Sequence, residues 1–165
     1  VFCLQNGYSH KNDHLKIKTG GYAMSVERIL ATKGRDVLTV SPESSLHDAA
    51  RLLAEKRIGA LVVTSPDRQV RGILSERDIV RAVAADPASL NRQVSDFMTA
   101  HVITCGPHTS IPELMDEMTI GRFRHLPVVV DGRLAGLVSI GDVVKYRVAE
   151  IEAESRALRN YIATA

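Results

Sequence analysis

Tryptophan is absent, and aromatic residues make up only 4% of the chain, so a core has to be built from Val, Leu, Ile and Ala. Cysteine occurs twice, at Cys3 and Cys105. Two are too few for a disulfide framework, and a reduced, cytoplasmic setting is expected. No apolar run approaches the ~18 residues of a membrane span, and the N-terminus lacks the long apolar stretch of a secretory signal. A charge surplus is missing too. The formal net charge is +2, and residues 1–23, with Lys11, Lys16 and Lys18 against Asp13, account for it. A neutral remainder argues against broad nucleic-acid binding by charge, and neither a helix-turn-helix pattern nor a basic stripe is evident. A local basic cluster that holds phosphates is not excluded. What is present is 165 residues that are 45% hydrophobic, enough for one globular unit built from two small halves.

Residues 1–23 read as an irregular arm with Gly7, Gly20, Gly21 and scattered His and Lys. Met24 is one candidate for the natural start; a mobile arm is the alternative. Val26, Ile29 and Leu30 recur at helical spacing, and Lys33-Gly34 supplies a C-terminal stop. Val37–Val40 reads as a short strand. Ser45 caps a helix with Leu46, Ala49, Ala50, Leu52 and Leu53 on its apolar face. Strands follow at Ala60–Thr64 and Val70–Leu74, joined by the turn Pro66-Asp67-Arg68, and then a helix from about Asp78 to Ala85.

The pattern then repeats. Val102–Cys105, Pro107, Ile111 and Leu126–Val129 match Val37–Val40, Pro42, Leu46 and Leu61–Thr64 at an offset of 65. After the Asp131-Gly132 turn, Gly136, Ser139 and Asp142 fall on Gly72, Ser75 and Asp78 at an offset of 64. Each unit reads β-α-β-β-α and is too small to be secure alone. The expected fold is therefore α+β: two such repeats packed sheet to sheet as a pseudo-twofold pair, with clefts where they meet. The divisions are residues 1–23 for the arm, 24–90 and 91–148 for the repeats, and 149–165 for a C-terminal helix extension. In the last helix Val144, Val148, Ile151, Ser155, Leu158 and Ile162 follow 4-3-4-3-4 spacing. This heptad seam either lies back on its own domain or meets a second copy.

The repeated strand-to-helix junction carries the chemistry. Free N–H groups and the dipole at a helix start favour phosphate, and an Asp carboxylate there accepts two ribose hydroxyls. Ser-x-x-Asp is also a capping box, which needs no ligand.

The stretches Ile58-Gly59-Ala60-Leu61-Val62-Val63 and Gly72-Ile73-Leu74-Ser75-Glu76-Arg77-Asp78, with Phe123-Arg124-His125-Leu126-Pro127-Val128 and Gly136-Leu137-Val138-Ser139-Ile140-Gly141-Asp142, resemble a tandem cystathionine β-synthase (CBS) domain pair, or Bateman module. The resemblance spans residues 25–148. It implies a non-catalytic regulatory module that binds AMP, or alternatively ADP, ATP, NADH or S-adenosylmethionine, to sense energy or redox state. Such a module acts on an unidentified effector protein and is expected to be a homodimer. It places Ser41, Leu46, Ile58, Gly59, His125, Leu137, Ser139, Gly141 and Asp142 in one cleft. The other takes Lys33, Ile73, Ser75, Arg77, Asp78, Ile111, Arg122, Phe123 and Arg124. The Asp142 cleft, with small Gly59 and Ala60 beside it, is expected to admit adenine, and the Asp78 cleft to be narrowed by Phe123 and Arg124. Arg122, Arg124, His125, Arg77 and Lys33 are the candidate phosphate partners.

Two rival readings stand beside this one. A dimerising scaffold with vestigial clefts needs only the helix seam. A zinc site could draw on His101, Cys105 and His108, or on Cys3, His10 and His14 in the arm. Ser139 has no evident His–Asp partner set for nucleophilic catalysis, and no catalytic or metal site is expected.

Overall fold

A computed structural model describes residues 25–164. The expectations for Met24, for the arm 1–23 and for Cys3, His10 and His14 lie outside that range. Helix α1 (Val26–Lys33) ends at Gly34, whose φ of 95° suits a residue without a side chain. Strand β1 (Thr39–Val40), helix α2 (Leu46–Lys56), strands β2 (Ala60–Thr64) and β3 (Val70–Ser75) and helix α3 (Glu76–Ala85) form the first repeat. Two short 3-10 turns, Pro87–Asn91 and Val94–Asp96, lead to α4 (Ile111–Gly121), β4 (His125–Val130), β5 (Arg133–Ser139) and α5 (Ile140–Thr164).

In the first sheet the order is β1-β2-β3, with β1 parallel and β3 antiparallel to β2. The second sheet is the hairpin β4-β5. The strand expected at Val102–Cys105 is reduced to one parallel bridge, Cys105 to Val128. The hairpins share a register offset: Ala60 pairs with Ser75 and His125 with Ser139, and the register shifts after Val63 and after Val128. Helices α2 and α4 both end on a left-handed arginine, Arg57 and Arg122, each at φ 53°. These matched details make the pseudo-twofold relation concrete.

The cores do not follow the division at residue 90. One cluster contains α1 residues Val26, Ile29 and Leu30 together with Ile111, Leu114, Met118, Leu126, Val128, Val138 and Val143 of the second repeat. The other joins Leu46, Leu53, Leu61, Val63 and Leu74 to Val94, with Phe97 and Met98 packed on it. The segment preceding each repeat thus docks on the other repeat. Val26 N–H donates to Thr109 O at 3.0 Å and Glu27 N–H to Pro107 O at 2.8 Å. The equivalent bonds run from Val94 to Ser44 O at 2.9 Å and from Ser95 to Pro42 O at 3.0 Å. Val26, Leu30 and Val94 are buried to 1% exposure or less. Each such side chain stabilises by roughly 1.5–3 kcal/mol, so Val26 and Leu30 make the α1 docking worth several kcal/mol and Val94 alone gives the other about half as much.

Helix α5 is 25 residues long, about 37 Å at 1.5 Å per residue. Val143 is buried and Tyr146 packs on the second core. Beyond that the seam faces solvent: Val148 and Ile151 are about half exposed and Ile162 is 73% exposed. The helix does not lie back on its own domain. The side chain of Leu158 lies outside the described set.

Candidate functional site

Both strand-to-helix junctions are closed by the same bonds. At the second, Ser139 donates its N–H and its hydroxyl to Asp142 Oδ2, at 2.8 and 2.7 Å, and accepts from Asp142 N–H at 3.2 Å. At the first, Ser75 N–H and hydroxyl donate to Asp78 Oδ2 at 2.9 and 2.6 Å. The backbone behind each junction is tied to the other hairpin strand, Glu76 N–H to Gly59 O and Ile140 N–H to Arg124 O. The capping-box reading is therefore correct for both pairs. It leaves Oδ1 of each aspartate without a protein partner among the described residues.

Two clefts flank this arrangement and share a wall made by Gly59, Ala60 and His125. The larger, of about 430 Å³, holds Ile73, Ser75, Arg77, Asp78, Arg122, Phe123 and Arg124, as expected for the Asp78 side. That volume lies within the roughly 300–1,000 Å³ of small-molecule sites. The smaller, of about 230 Å³, holds Ile58, Gly59, His125, Leu137 and Ser139. The expectation that the Asp142 cleft is the roomy one is thus reversed. Phe123 and Arg124 wall the larger cleft without filling it.

Several expected lining residues are elsewhere. Leu46 and Ile111 each open a helix with the apolar face turned to the sheet, and both are buried in the cores. Ser41 is exposed and bonds the Glu43 carboxylate in its own turn. Lys33 belongs to the Asp142 side, not the Asp78 side: its ammonium donates to Asp142 Oδ2 at 2.6 Å and to Leu137 O at 3.0 Å. Asp142 and Gly141 do not line the smaller cleft, whereas their counterparts Asp78 and Arg77 line the larger.

The electrostatics differ accordingly. Four arginines, Arg77, Arg81, Arg122 and Arg124, face the larger cleft against Glu76 and Asp78. Among the described residues none of the four makes an ion pair. Arg81 was not singled out in the sequence, although it stands four residues after Arg77 on α3 and so shares its face. His101 also lines this cleft; its sequence neighbour Cys105 is buried in a core. Burial, with Glu117 adding to it, pushes the Cys105 thiol up to about 12. Among the described residues no group of three or more His, Cys, Asp or Glu is placed to hold a metal ion.

In the shared wall, His125 titrates below the usual histidine range. Burial is the main cause, and Arg124 and Lys33 add to it against the pull of Asp142 and Glu76. Burial raises the Asp142 carboxyl, but the Lys33 ammonium and the Ser139 hydroxyl and N–H outweigh it and hold it below the ordinary value.

Comparison with known proteins places this geometry. The family model described as "CBS domain" matches residues 26–85 and 94–149. The "CBS domain-containing protein CBSX3, mitochondrial" of Arabidopsis thaliana is 32% identical over 172 residues, 98% of this chain and 82% of that protein. The crystal structure of the CBS-domain containing protein ATU1752 from Agrobacterium tumefaciens is 51% identical, with a TM-score of 0.72 over 75% of this chain and 99% of that one. The CBS domain pair of protein MJ0100, in complex with 5′-methylthioadenosine and S-adenosyl-L-methionine, is 23% identical and shares the fold, with a TM-score of 0.70 over 78% of this chain and 98% of that one.

Proposed function

The chain belongs to the CBS-domain family as a tandem pair, and from that premise we propose that it is a regulatory module binding an adenosine nucleotide in the Asp78 cleft. The observation that carries the reading is the placing of four arginines, none ion-paired among the described residues, around a cleft that Asp78 also lines. A ribose diol donates to Asp78 Oδ1 while Oδ2 keeps its capping bonds. Phosphate oxygens meet the arginine forks, and the base lies against Ile73, Val102, Ile103 and Phe123. AMP is the smallest ligand that uses all three features. The surplus of positive charge beyond one phosphate ranks ATP and ADP above AMP in affinity, with NADH as a further candidate. Binding acts on a partner protein by differential affinity for two states of the module.

Calorimetric titration with AMP, ADP, ATP, NADH and S-adenosylmethionine tests the reading. A ligand at 100 times its Kd stabilises the native state by about 2.7 kcal/mol, so a rise in melting temperature accompanies binding. If none of these ligands binds or raises the melting temperature, the adenosine reading is wrong.

The exposed seam of α5 favours a second, compatible reading, self-association through Val148, Ile151 and Ile162. Sedimentation of the chain against an Ile151→Glu variant tests it. A dimer that becomes a monomer is the expected result, and two equal masses refute it.

A further inference from the structure

The two clefts are built on the same frame but are closed differently at one point. In the larger cleft the Ile73 carbonyl accepts the Thr99 backbone N–H at 2.9 Å, and the chain runs on, without regular structure, to His101, Val102 and Ile103 in the cleft wall. The counterpart of Ile73 is Leu137. There the preceding segment is still helical, and the bond comes from a side chain, Lys33 Nζ to Leu137 O at 3.0 Å. The same ammonium reaches Asp142 Oδ2 at 2.6 Å. Lys33 lines the smaller cleft and Asp142 does not, whereas Asp78 lines the larger one and pairs with no cation among the described residues.

We infer that Lys33 closes the Asp142 cleft to adenosine nucleotides, so that each chain takes one nucleotide, in the Asp78 cleft. Three effects of the lysine add together. It stands at the wall where the carboxylate would otherwise face the ligand. It compensates the charge that makes a carboxylate a strong acceptor for a diol, since hydrogen bonds to an ionised group are about twice as strong as neutral ones. Its stem also helps keep the cleft at about 230 Å³, below the roughly 300 Å³ at which small-molecule sites begin. Helix α1, which docks on the second repeat through Val26, Ile29 and Leu30, sets the position of the lysine backbone, and its two bonds, to Asp142 Oδ2 and Leu137 O, hold the ammonium at the wall. This inference rests on the reading of the Asp78 cleft as a nucleotide site.

The test is calorimetric titration of the full chain with ADP, using wild type, Lys33→Met, Asp78→Asn and the double variant. Met keeps the stem and removes the ammonium; Lys33→Ala, which removes both, serves as a second version, and the melting temperature of each variant shows that it folds. One ADP per chain is expected for wild type and a second, at least tenfold tighter than any residual second site of wild type, for Lys33→Met. Asp78→Asn alone weakens binding by tenfold or more, and the double variant regains one tight site. Two equivalent sites in wild type, or a folded double variant that binds nothing, overturns the role of Lys33 while leaving the nucleotide reading intact. ADP binding to none of the four proteins removes that reading, and this inference with it.

Discussion

Ser75 gives both its backbone N–H and its hydroxyl to a single oxygen of Asp78, at 2.9 and 2.6 Å. One oxygen closes the helix start; the other makes no hydrogen bond among the described residues, and the side chain lines the cleft. The structural and binding roles of the carboxylate are therefore separable by experiment. Asp78→Ala and Asp142→Ala each lose a capping interaction worth about 1 kcal/mol, or roughly 2–4 °C of melting temperature for a chain of this size. Only Asp78→Ala is expected to weaken ADP binding, by tenfold or more, from the loss of charge-assisted hydrogen bonds worth about 1.5–3 kcal/mol. Calorimetry and thermal denaturation on the same samples check both halves. Equal losses of affinity in the two variants would contradict the assignment.

Arg57 and Arg122 occupy equivalent left-handed positions at the ends of α2 and α4, and Arg122 alone faces the larger cleft. A left-handed L-residue costs roughly 1–2 kcal/mol, partly offset by the roughly 0.5–1 kcal/mol of extra chain entropy that a glycine loses on folding. Arg57→Gly and Arg122→Gly should each raise stability by about 0.5 kcal/mol, the balance of those two terms. Arg122→Gly alone should lower ATP affinity and flatten its dependence on salt. Denaturant titration and binding at two ionic strengths distinguish the pair.

Gly72 and Gly136 lie under the two exchanged segments. A Cβ on Gly72 would stand 2.5 Å from Met98 Sδ and 3.0 Å from the Thr99 carbonyl, and one on Gly136 would stand 2.9 Å from Leu30 Cδ1 and Cδ2. Gly72→Ala and Gly136→Ala should each destabilise by about 1–3 kcal/mol through overpacking. The midpoint of urea unfolding reads this directly, and unchanged midpoints would show that the segments dock less closely than described.

His125 is held neutral in the fold, its folded pKa lying below the unfolded value. Between those two values the unfolded chain binds the proton and the folded chain does not, so stability falls as pH drops below about 6.5. The loss levels off once pH passes the folded value. His125→Gln should remove this loss. Asp142 acts in a separate window. Its folded pKa is depressed, so its contribution is fully present above about 3.9 and is lost as pH falls through the folded value. Melting temperature against pH for wild type and His125→Gln separates the two; Lys33→Met weakens the acid-side contribution of Asp142 and also lessens the depression of the His125 pKa, to which Lys33 contributes. A wild-type profile flat from pH 7.5 to 5 would rule out the histidine assignment.

Much of this was legible in the residues because it is local. The hairpins β2-β3 and β4-β5 follow from β-branched runs separated by turn residues, and the Asp131-Gly132 turn has both residues at positive φ, 50° and 75°. The capping boxes follow from Ser-x-x-Asp spacing. What was not legible is non-local. Leu46 and Ile111 share sequence offsets with cleft residues but point inward, because the first apolar residue of each helix is needed on the sheet. The short side chains of Gly59 and Ala60 suggest room for adenine beside Asp142, but both residues line the two clefts alike; the clefts differ in what closes them, the segment at 99–103 for the larger and Lys33 of α1 for the smaller. Lys33 stands at the Asp142 cleft for a related reason: α1 precedes the first repeat in the chain and packs on the second. A left-handed end on Arg57 or Arg122 leaves no signal of residue type, since glycine is the usual marker there.

The reciprocal docking of residues 26–30 and 94–98 bears on how such a chain can be assembled or divided. A half cut out at residue 90 would leave Leu114 and Val138 without Leu30, or Leu61 and Leu74 without Val94. It could recover the missing piece only by borrowing it from another half. One repeat translated alone would therefore pair with a sister molecule, each lending its leading segment to the other, in the way the two repeats of this chain do within a single polypeptide. Having both repeats in one polypeptide makes that exchange intramolecular, so the two clefts can differ, with a lysine at one and arginines at the other.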